Sequence, residues 1–554
     1  MATTHSPAAS AHTLAAATVA SAELLTTMPA LLARNVAAHG DALAFIDGER
    51  EITYREFDQM VQRSAVWLDL QGIRPGDKVA VWLVNRMEWL ALYFGLARIG
   101  AALMTVNTRY RSHELAYILE RSQACMLILQ LNFRKIDFPA VLRDVPAESA
   151  RTLRKVAVVD ADHNIPPSVL GKPTVPFNLS TLPDGEVPNV AQPDADSILF
   201  TTSGTTSGPK LVLHPQRTVT IHSQRVAPAY GFEEEGTRLL ATLPFCGVFG
   251  FNAAMAAFAA AKPVIVMDTF DGPTAAELIN RHRATHVFGS DELFHRIIEN
   301  ARGDRPFPSA RVFGFACFHP GIVEYTQAAW AREIPMIGLY GSSEVQALFS
   351  LQQRQLPLEE RIKGGGMPAS FGRGAEVRIR DVDSGELLGP GLSGAIEIRA
   401  DTNFTGYLNN PEATAKAIDA DGFFRTGDVG YVRDDGSFVY QTRQGDAMRL
   451  GGYLVSPVEI EDVIKTVPGV VDVQVVAVEI GGQTRPVAFA IGESGVQLRE
   501  SEMKLTASAV LAPFKVPLHI WQVDEFPSTQ SSNGTKIQRV KLRDMAMQRL
   551  TQAA

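Results

Sequence analysis

The sequence predicts an α/β protein: a large N-terminal domain of doubly wound sheets plus a small β region, followed by a small α+β C-terminal domain. Three observations carry this. Apolar runs of strand length alternate with amphipathic helical stretches through most of the chain, the rhythm of parallel sheets covered by helices. Near Glu376 the pattern changes to short alternating segments separated by Asp/Gly turns, which reads as a small antiparallel region. From about Gly451 a compact mixture of helix and strand follows.

Residues 1–27 are read as a disordered leader: the stretch to about Leu25 is rich in Ala, Ser and Thr and has no Lys or Arg, so it lacks the basic start of a secretory signal. Thr53 and Glu56 form a capping box ahead of a helix whose apolar face carries Phe57, Val61, Ala65 and Leu68. Lys78 to Val84 (strand), Glu88 to Ile99 (helix) and Ala102 to Val106 (strand) make one βαβ unit. The rhythm returns at Pro263 to Met267, Thr274 to His282 and His286 to Gly289. Phe249 to Ala261 is too short to cross a bilayer and reads as a buried helix, so no transmembrane segment is expected. The antiparallel region includes Glu376–Arg380 and Ala395–Arg399. The last unit has a helix from Pro457 to Thr466, strands at Val470–Glu479 and Arg485–Ile491, and a helix around Glu502. The boundary falls between Tyr440 and Gly451, giving domains at 28–441 and 451–554 with a hinge at 442–450.

Acidic residues outnumber basic ones, for a net charge of −8, which argues against nucleic acid as a main partner. The basic clusters Arg281-His282-Arg283 and Lys536 to Arg543 are short and read as solvated faces. Cys125, Cys246 and Cys317 lie far apart without CxxC or Cys/His spacing. That excludes a disulfide framework or zinc site and fits a reducing cytoplasm.

The densest local signal is Thr202-Ser203-Gly204-Thr205-Thr206-Ser207-Gly208-Pro209-Lys210, preceded by the buried strand Ser197–Thr201. Small residues, hydroxyls and a closing lysine can cradle phosphate oxygens. It is not the P-loop of kinases and GTPases, whose Gly-Lys-Ser/Thr ending is missing. Taken alone it serves equally as a flexible connector.

Further motifs follow in order: Tyr340-Gly341-Ser342-Ser343-Glu344, Phe424-Arg425-Thr426-Gly427-Asp428, Thr442-Arg443-Gln444-Gly445-Asp446, Gly451-Gly452-Tyr453 through Glu461, and Asn533-Gly534-Thr535-Lys536-Ile537-Gln538-Arg539. This ordered set, from roughly Leu31 to Arg543, resembles the adenylate-forming (AMP-binding) superfamily of acyl-CoA synthetases, nonribosomal adenylation domains and luciferases, and within it the acyl-CoA synthetase branch.

The resemblance implies ATP, Mg²⁺ and CoA as cosubstrates and cofactor, and a mobile C-terminal lid. A carboxylate would attack the α-phosphorus of ATP, making AMP the leaving group for a later thiol attack; two anions must meet, so cations and donors are needed. By resemblance, Thr202, Ser203, Gly204, Thr205, Thr206 and Lys210 hold the β- and γ-phosphates, and Thr205 counts with Glu344 and Lys536 as catalytic. Glu344 would ligate Mg²⁺. Tyr340 would stack near adenine, and Ser343 keeps the hydroxyl of the more usual threonine. Asp428 would accept from both ribose hydroxyls, Arg443 would reach the ribose or phosphates, and Lys536 would bridge the carboxylate and the α-phosphate. Gly451 and Gly452 would line the pantetheine channel after the lid rotates. Each of these side chains, met singly, reads as an ordinary turn, linker or surface residue.

Several positions depart from the family pattern. Gly445 stands at the hinge, where Asp or Lys is usual, and Leu211 replaces a glycine. Cys246 and Gly247 occupy the places of an aromatic and a histidine, and Ala316-Cys317-Phe318 those of Gly-Gly-Ala. The resemblance places Phe245, Cys246, Gly247, Phe249, Ala316, Cys317 and Gly341 around the acyl pocket. No acidic residue is evident to hold a substrate ammonium. Cys246 and Cys317 lie in apolar runs without a neighbouring base and read as packing. The expected function is therefore ligation of a hydrophobic acid, fatty or aryl, to CoA, in the setting of fatty acid metabolism. The alternatives are a stand-alone enzyme loading an acyl carrier protein and a non-catalytic nucleotide-binding scaffold; nothing points to the oxygen chemistry of a luciferase. Homodimerisation is left open.

Overall fold

The structure, a computed structural model, describes residues 24–133, 135–159, 165–202, 209–316, 322–450, 453–480, 483–531 and 534–553. Most of the expected leader lies outside them. Its last residues do not behave as a leader: Leu25 N–H donates to Gln224 Oε1 at 3.2 Å, its carbonyl accepts from Gln224 Nε2, and Thr27 caps the helix Met28–His39. A side-chain amide that meets both backbone groups holds the chain already at Leu25.

Two large sheets form the N-terminal domain among the described residues, one of 14 strands and one of nine. In the smaller, Lys78–Trp82 pairs in parallel with Ala102–Thr105 and Met126–Gln130, and the helix Met87–Arg98 makes the crossover. Asp196–Thr201 lies parallel to Ala102–Thr105. In the larger, Leu43–Asp47, Val264–Val266, Leu239–Ala241, His286–Ser290, Val312–Ala316 and Met336–Ser342 run parallel. One apolar cluster joins both sheets through Phe45, Phe57, Phe94 and Phe258. The helix Val248–Ala259 is buried from Phe249 onward, as read from its composition. The Thr53–Glu56 capping box forms as expected.

The antiparallel region is not a separate body. Met336–Ser342 turns into Gln346–Leu351, which pairs with Gly365–Pro368 and so with Phe438–Arg443 and Phe424–Val432. Gly366 permits the junction: its φ is +110°, and a Cβ there would lie 2.1 Å from the Leu351 carbonyl oxygen.

The C-terminal unit has its own three-stranded sheet. Val470–Ile480 and Gln483–Gly492 pair antiparallel, and Ile520–Gln522 adds in parallel. Helices Pro457–Lys465, Glu500–Val510 and Arg539–Ala553 accompany it. Met448 and Leu450 are already buried in its core with Ile460, Ile464 and Val475. Two hairpins carry the sequence motifs: Met448–Leu450 with Tyr453–Val455, and Ser528–Ser531 with Gly534–Ile537. No helix of the described residues is long and apolar enough to cross a membrane.

Candidate active site

The predicted phosphate loop connects two antiparallel strands, Asp196–Thr201 and Leu211–Pro215, rather than leading into a helix. Ser203, Gly204, Thr205 and Thr206 lie outside the described residues, but both ends of the loop are fixed. Thr202 N–H donates to the Lys210 carbonyl at 3.0 Å, and Lys210 N–H to Thr202 Oγ1 at 3.1 Å. The Lys210 ammonium stands 4.6 Å from the centroid of the Tyr407 ring. Tyr407 in turn donates its hydroxyl to Glu344 Oε1 at 2.9 Å. Burial first, and then the Glu344 charge, hold the Tyr407 phenol well above its ordinary value, so it stays a donor. Lys210 and Tyr407 also line a cleft of about 100 Å³ with Tyr117 and Arg121.

Glu344 sits on the turn between Met336–Ser342 and Gln346–Leu351. Ser342 Oγ accepts from Glu344 N–H at 3.2 Å and Val345 N–H at 3.4 Å, a local hydroxyl turn. Beneath it His214 Nε2 meets the Ser343 carbonyl at 2.7 Å, and Nδ1 lies 3.3 Å from Thr218 Oγ1. Burial lowers His214 to about 4. The ring is thus neutral at pH 7, with its proton on Nε2, because a carbonyl can only accept. Beyond the turn, Gln346 (φ +67°) gives Nε2 to the carbonyls of Thr218 and Thr402 and accepts from Asn252, whose Oδ1 accepts from Ala347 N–H. These buried, satisfied amides fix the turn that aims Glu344. Gly341 passes so near the return strand that a Cβ would lie 2.6 Å from Ala347 Cα.

Asp428 is buried on Phe424–Val432, with its Cα opposite Arg443. Its Oδ2 accepts from the Tyr340 hydroxyl at 2.5 Å, and its Oδ1 pairs with the half-exposed Arg443 guanidinium at 2.8 Å. Tyr340, expected beside adenine, has only 6% of its surface exposed. Its ring packs against Phe438 and Tyr440, with centroids at 5.2 and 6.0 Å. Burial, and then the Asp428 charge, raise its phenol well above the ordinary value. Tyr340, Tyr407, Phe404 and Phe424 share one apolar cluster, which sets the Glu344 and Asp428 groups on a common support.

The residues expected around an acyl pocket lie at or just after the C-terminal ends of neighbouring parallel strands, where open α/β sheets bind ligands. Ala316 ends Val312–Ala316, Gly341 is the last residue but one of Met336–Ser342, and Phe245, Cys246, Gly247 and Phe249 follow Leu239–Ala241. Asn85 braces this last segment by accepting from Phe245 N–H and donating to the Leu243 carbonyl. Phe245 itself is fully buried in the core, 5.8 Å from Trp89. Phe249 is nearly buried near Phe288, and Gly247 precedes the first turn of Val248–Ala259. Burial pushes the Cys246 thiol up to about 11, so it packs as a neutral side chain. Cys317 lies outside the described residues, as do Gly451 and Gly452.

Lys536 stands on Gly534–Ile537 with its Cα opposite Thr529; its side chain is outside the description. No cluster of three or more His, Cys, Asp or Glu fit to cage a metal occurs among the described residues. Glu344 alone still suits Mg²⁺, which usually takes one or two carboxylates and fills its shell with water and substrate phosphates. Sequence reasoning missed His214, Tyr407, Asn252 and Gln346. Their signal was faint: a histidine in the strand after the phosphate loop, a tyrosine before Asn-Asn-Pro, and two amides in apolar surroundings.

Comparison with known proteins bears on the family and the fold. The family described as AMP-binding enzyme matches residues 32–408, and AMP-binding enzyme C-terminal domain matches 459–533. The chain is 30% identical over 528 residues to 3-[(3aS,4S,7aS)-7a-methyl-1,5-dioxo-octahydro-1H-inden-4-yl]propanoyl:CoA ligase of Rhodococcus jostii, covering 92% of this chain and 98% of that protein. It is 30% identical over 517 residues to 3-hydroxybenzoate–CoA ligase of Aromatoleum, covering 91% and 94%. Its fold matches ATP-bound MatB from Rhodopseudomonas palustris with a TM-score of 0.77 at 24% identity, over 93% of this chain and 98% of that one.

Proposed function

This chain belongs to the AMP-binding enzyme family, and from that premise we propose that it is an ATP-dependent ligase joining a hydrophobic carboxylic acid to CoA. The observation that carries the reading is the continuous contact of Lys210, Tyr407 and Glu344 beside the Tyr340–Asp428–Arg443 group.

In the first half-reaction the acid's carboxylate oxygen bonds to the α-phosphorus of ATP and the bond to the β-phosphate oxygen breaks, releasing pyrophosphate and leaving acyl-AMP. Lys210 neutralises the departing phosphates at the closed end of the loop. Glu344 would hold Mg²⁺, which would supply positive charge against the phosphates. Asp428 accepts from the ribose hydroxyls, with Arg443 beside it. Lys536 neutralises the substrate carboxylate and the α-phosphate together. In the second, the CoA sulfur bonds to the acyl carbon, its proton is lost to solvent, and AMP leaves. The lid turns between the two steps about Gln444–Asp446, where a Cβ on Gly445 would meet nothing within 4 Å.

The acid is apolar and without an ammonium group. Phe249, Ala316 and the neutral Cys246 offer it no countercharge, and the small Gly247 leaves width for a ring. Two of the relatives, the two reported above, are named for ring-bearing acids, which favours an aryl or alicyclic substrate over a simple fatty chain. The unclustered cysteines fit a cytoplasmic setting.

Pyrophosphate release with ATP, Mg²⁺ and a panel of aryl, alicyclic and fatty acids, with and without CoA, tests this. CoA-stimulated release with a thioester detected by mass spectrometry is expected. Release indifferent to CoA would direct the search to a carrier protein, and silence across the panel would overturn the reading.

A further inference from the structure

Glu461 is the last residue of the Gly451–Glu461 motif, and Arg539 the last of the motif that carries Lys536. They lie 78 positions apart and meet in the interior of the C-terminal unit. Glu461 is wholly buried, and Arg539 Nη2 lies 2.8 Å from its Oε1 and 3.1 Å from its Oε2. Both also reach one residue of the sheet. Val475 N–H donates to Glu461 Oε1 at 2.8 Å, and Arg539 Nη1 donates to the Val475 carbonyl at 3.4 Å.

Val475 belongs to Val470–Ile480, an edge strand of the three-stranded sheet. The ion pair therefore does there what a further strand would do, meeting both backbone groups of one edge residue. Ile460 and Ile464 hold Glu461's helix in one apolar cluster, and Leu542 and Ala546 hold the helix that Arg539 begins in another. Just before Arg539, Gln538 N–H donates to the Pro527 carbonyl at 2.8 Å, closing the base of the hairpin Ser528–Ile537. Lys536 is three residues from Arg539, and among the described residues the Glu461–Arg539 pair ties that base to the sheet edge.

We propose that Glu461 is a positioning residue for adenylation: through Arg539 and Val475 it fixes the base of the Lys536 hairpin on the sheet edge, and so sets where the lysine stands. The inference rests on the assignment of Lys536 to the first half-reaction. A purely structural pair would support both half-reactions equally, whereas a positioning pair supports the one that uses Lys536.

The test measures acyl-adenylate formation, and separately thioester formation from supplied acyl-adenylate and CoA, in Glu461→Gln, Arg539→Lys and Lys536→Ala. Glu461→Gln keeps the shape and an acceptor for Val475 but removes the charge that orients Arg539. A misplacement of about 1 Å costs on the order of 100-fold in rate. We expect adenylation by Glu461→Gln to fall roughly 10- to 100-fold at an unchanged KM for ATP, with transfer within about twofold of wild type. Arg539→Lys keeps a cation beside Glu461 and should lose less. The proposal is overturned if Glu461→Gln adenylates normally while Lys536→Ala does not, or if both half-reactions fall together. If Lys536→Ala itself adenylates normally, the lysine assignment fails and takes the proposal with it. Should Glu461→Gln not fold, Arg539→Lys decides by the same two rates.

Discussion

The Tyr407 hydroxyl donates to Glu344 Oε1 at 2.9 Å across 63 positions of sequence. The same ring lies under the Lys210 ammonium, so one tyrosine spaces the lysine proposed for phosphate from the carboxylate proposed for Mg²⁺. Tyr407→Phe keeps the ring and removes the donor. A lost hydrogen bond of about 1 kcal/mol corresponds to a KM for ATP raised about fivefold at saturating Mg²⁺. Steady-state ATP titration reads it, and an unchanged KM would mean the bond does not orient Glu344 for the nucleotide.

Asp428 is shared by Tyr340 and Arg443. Asp428→Asn preserves the shape but weakens acceptance of the ribose hydroxyls. Hydrogen bonds to charged groups are worth about 1.5–3 kcal/mol, so AMP should bind about 10- to 100-fold more weakly by calorimetry. Equal affinity would remove Asp428 from the nucleotide site.

Burial lowers His214, His222 and His286 to about 4 from the ordinary 6.5. Above pH 6.5 both folded and unfolded chains hold them neutral. Below it the unfolded chain takes up protons that the folded chain refuses until about pH 4. Stability should fall as pH drops through that window, by about 1.4 kcal/mol per pH unit for each histidine. His214→Gln, whose amide can still donate to the Ser343 carbonyl, should show a shallower decline of Tm between pH 6.5 and 4. An identical slope would mean that His214 is not held neutral.

Gly341→Ala places a methyl 2.6 Å from Ala347 Cα and 2.7 Å from the Gln346 carbonyl oxygen, both backbone atoms. Overpacking of this kind costs about 1–3 kcal/mol. The turn that carries Glu344 must open to relieve it. Chemical denaturation should show the loss, and activity should fall further than stability alone explains; wild-type behaviour in both would show that the hairpin can relax.

The βαβ unit at Lys78–Thr105, the buried helix Val248–Ala259 and the C-terminal Pro457–Gly492 elements were legible because apolar period and caps are local. The joining of the antiparallel region to the parallel sheet was not. It depends on close strand approach at Gly366, and a glycine in sequence looks the same in a turn or a junction. The leader's end was misplaced for a similar reason, since the amide that holds Leu25 is on Gln224.

Among candidate site residues, Lys210, Glu344, Asp428 and Arg443 were named from the family resemblance that the ordered motifs carry. Their partners were not, because His214, Tyr407 and Gln346 have no motif chemistry of their own; each matters only through what the fold brings to it. The sequence by itself determined the element types and the two-part organisation, because these follow from local periodicity and residue chemistry; the charged groups proposed for a nucleotide came from the resemblance its motifs carry. The tertiary structure alone decided which distant groups meet the carboxylates: the neutral Tyr407 on Glu344 and Tyr340 on Asp428, and the cationic Arg539 on Glu461. The physical reason is distance. A hydrogen bond needs about 3 Å between its atoms, and pairings across 63, 88 and 78 positions are set only when the sheets and helices have packed.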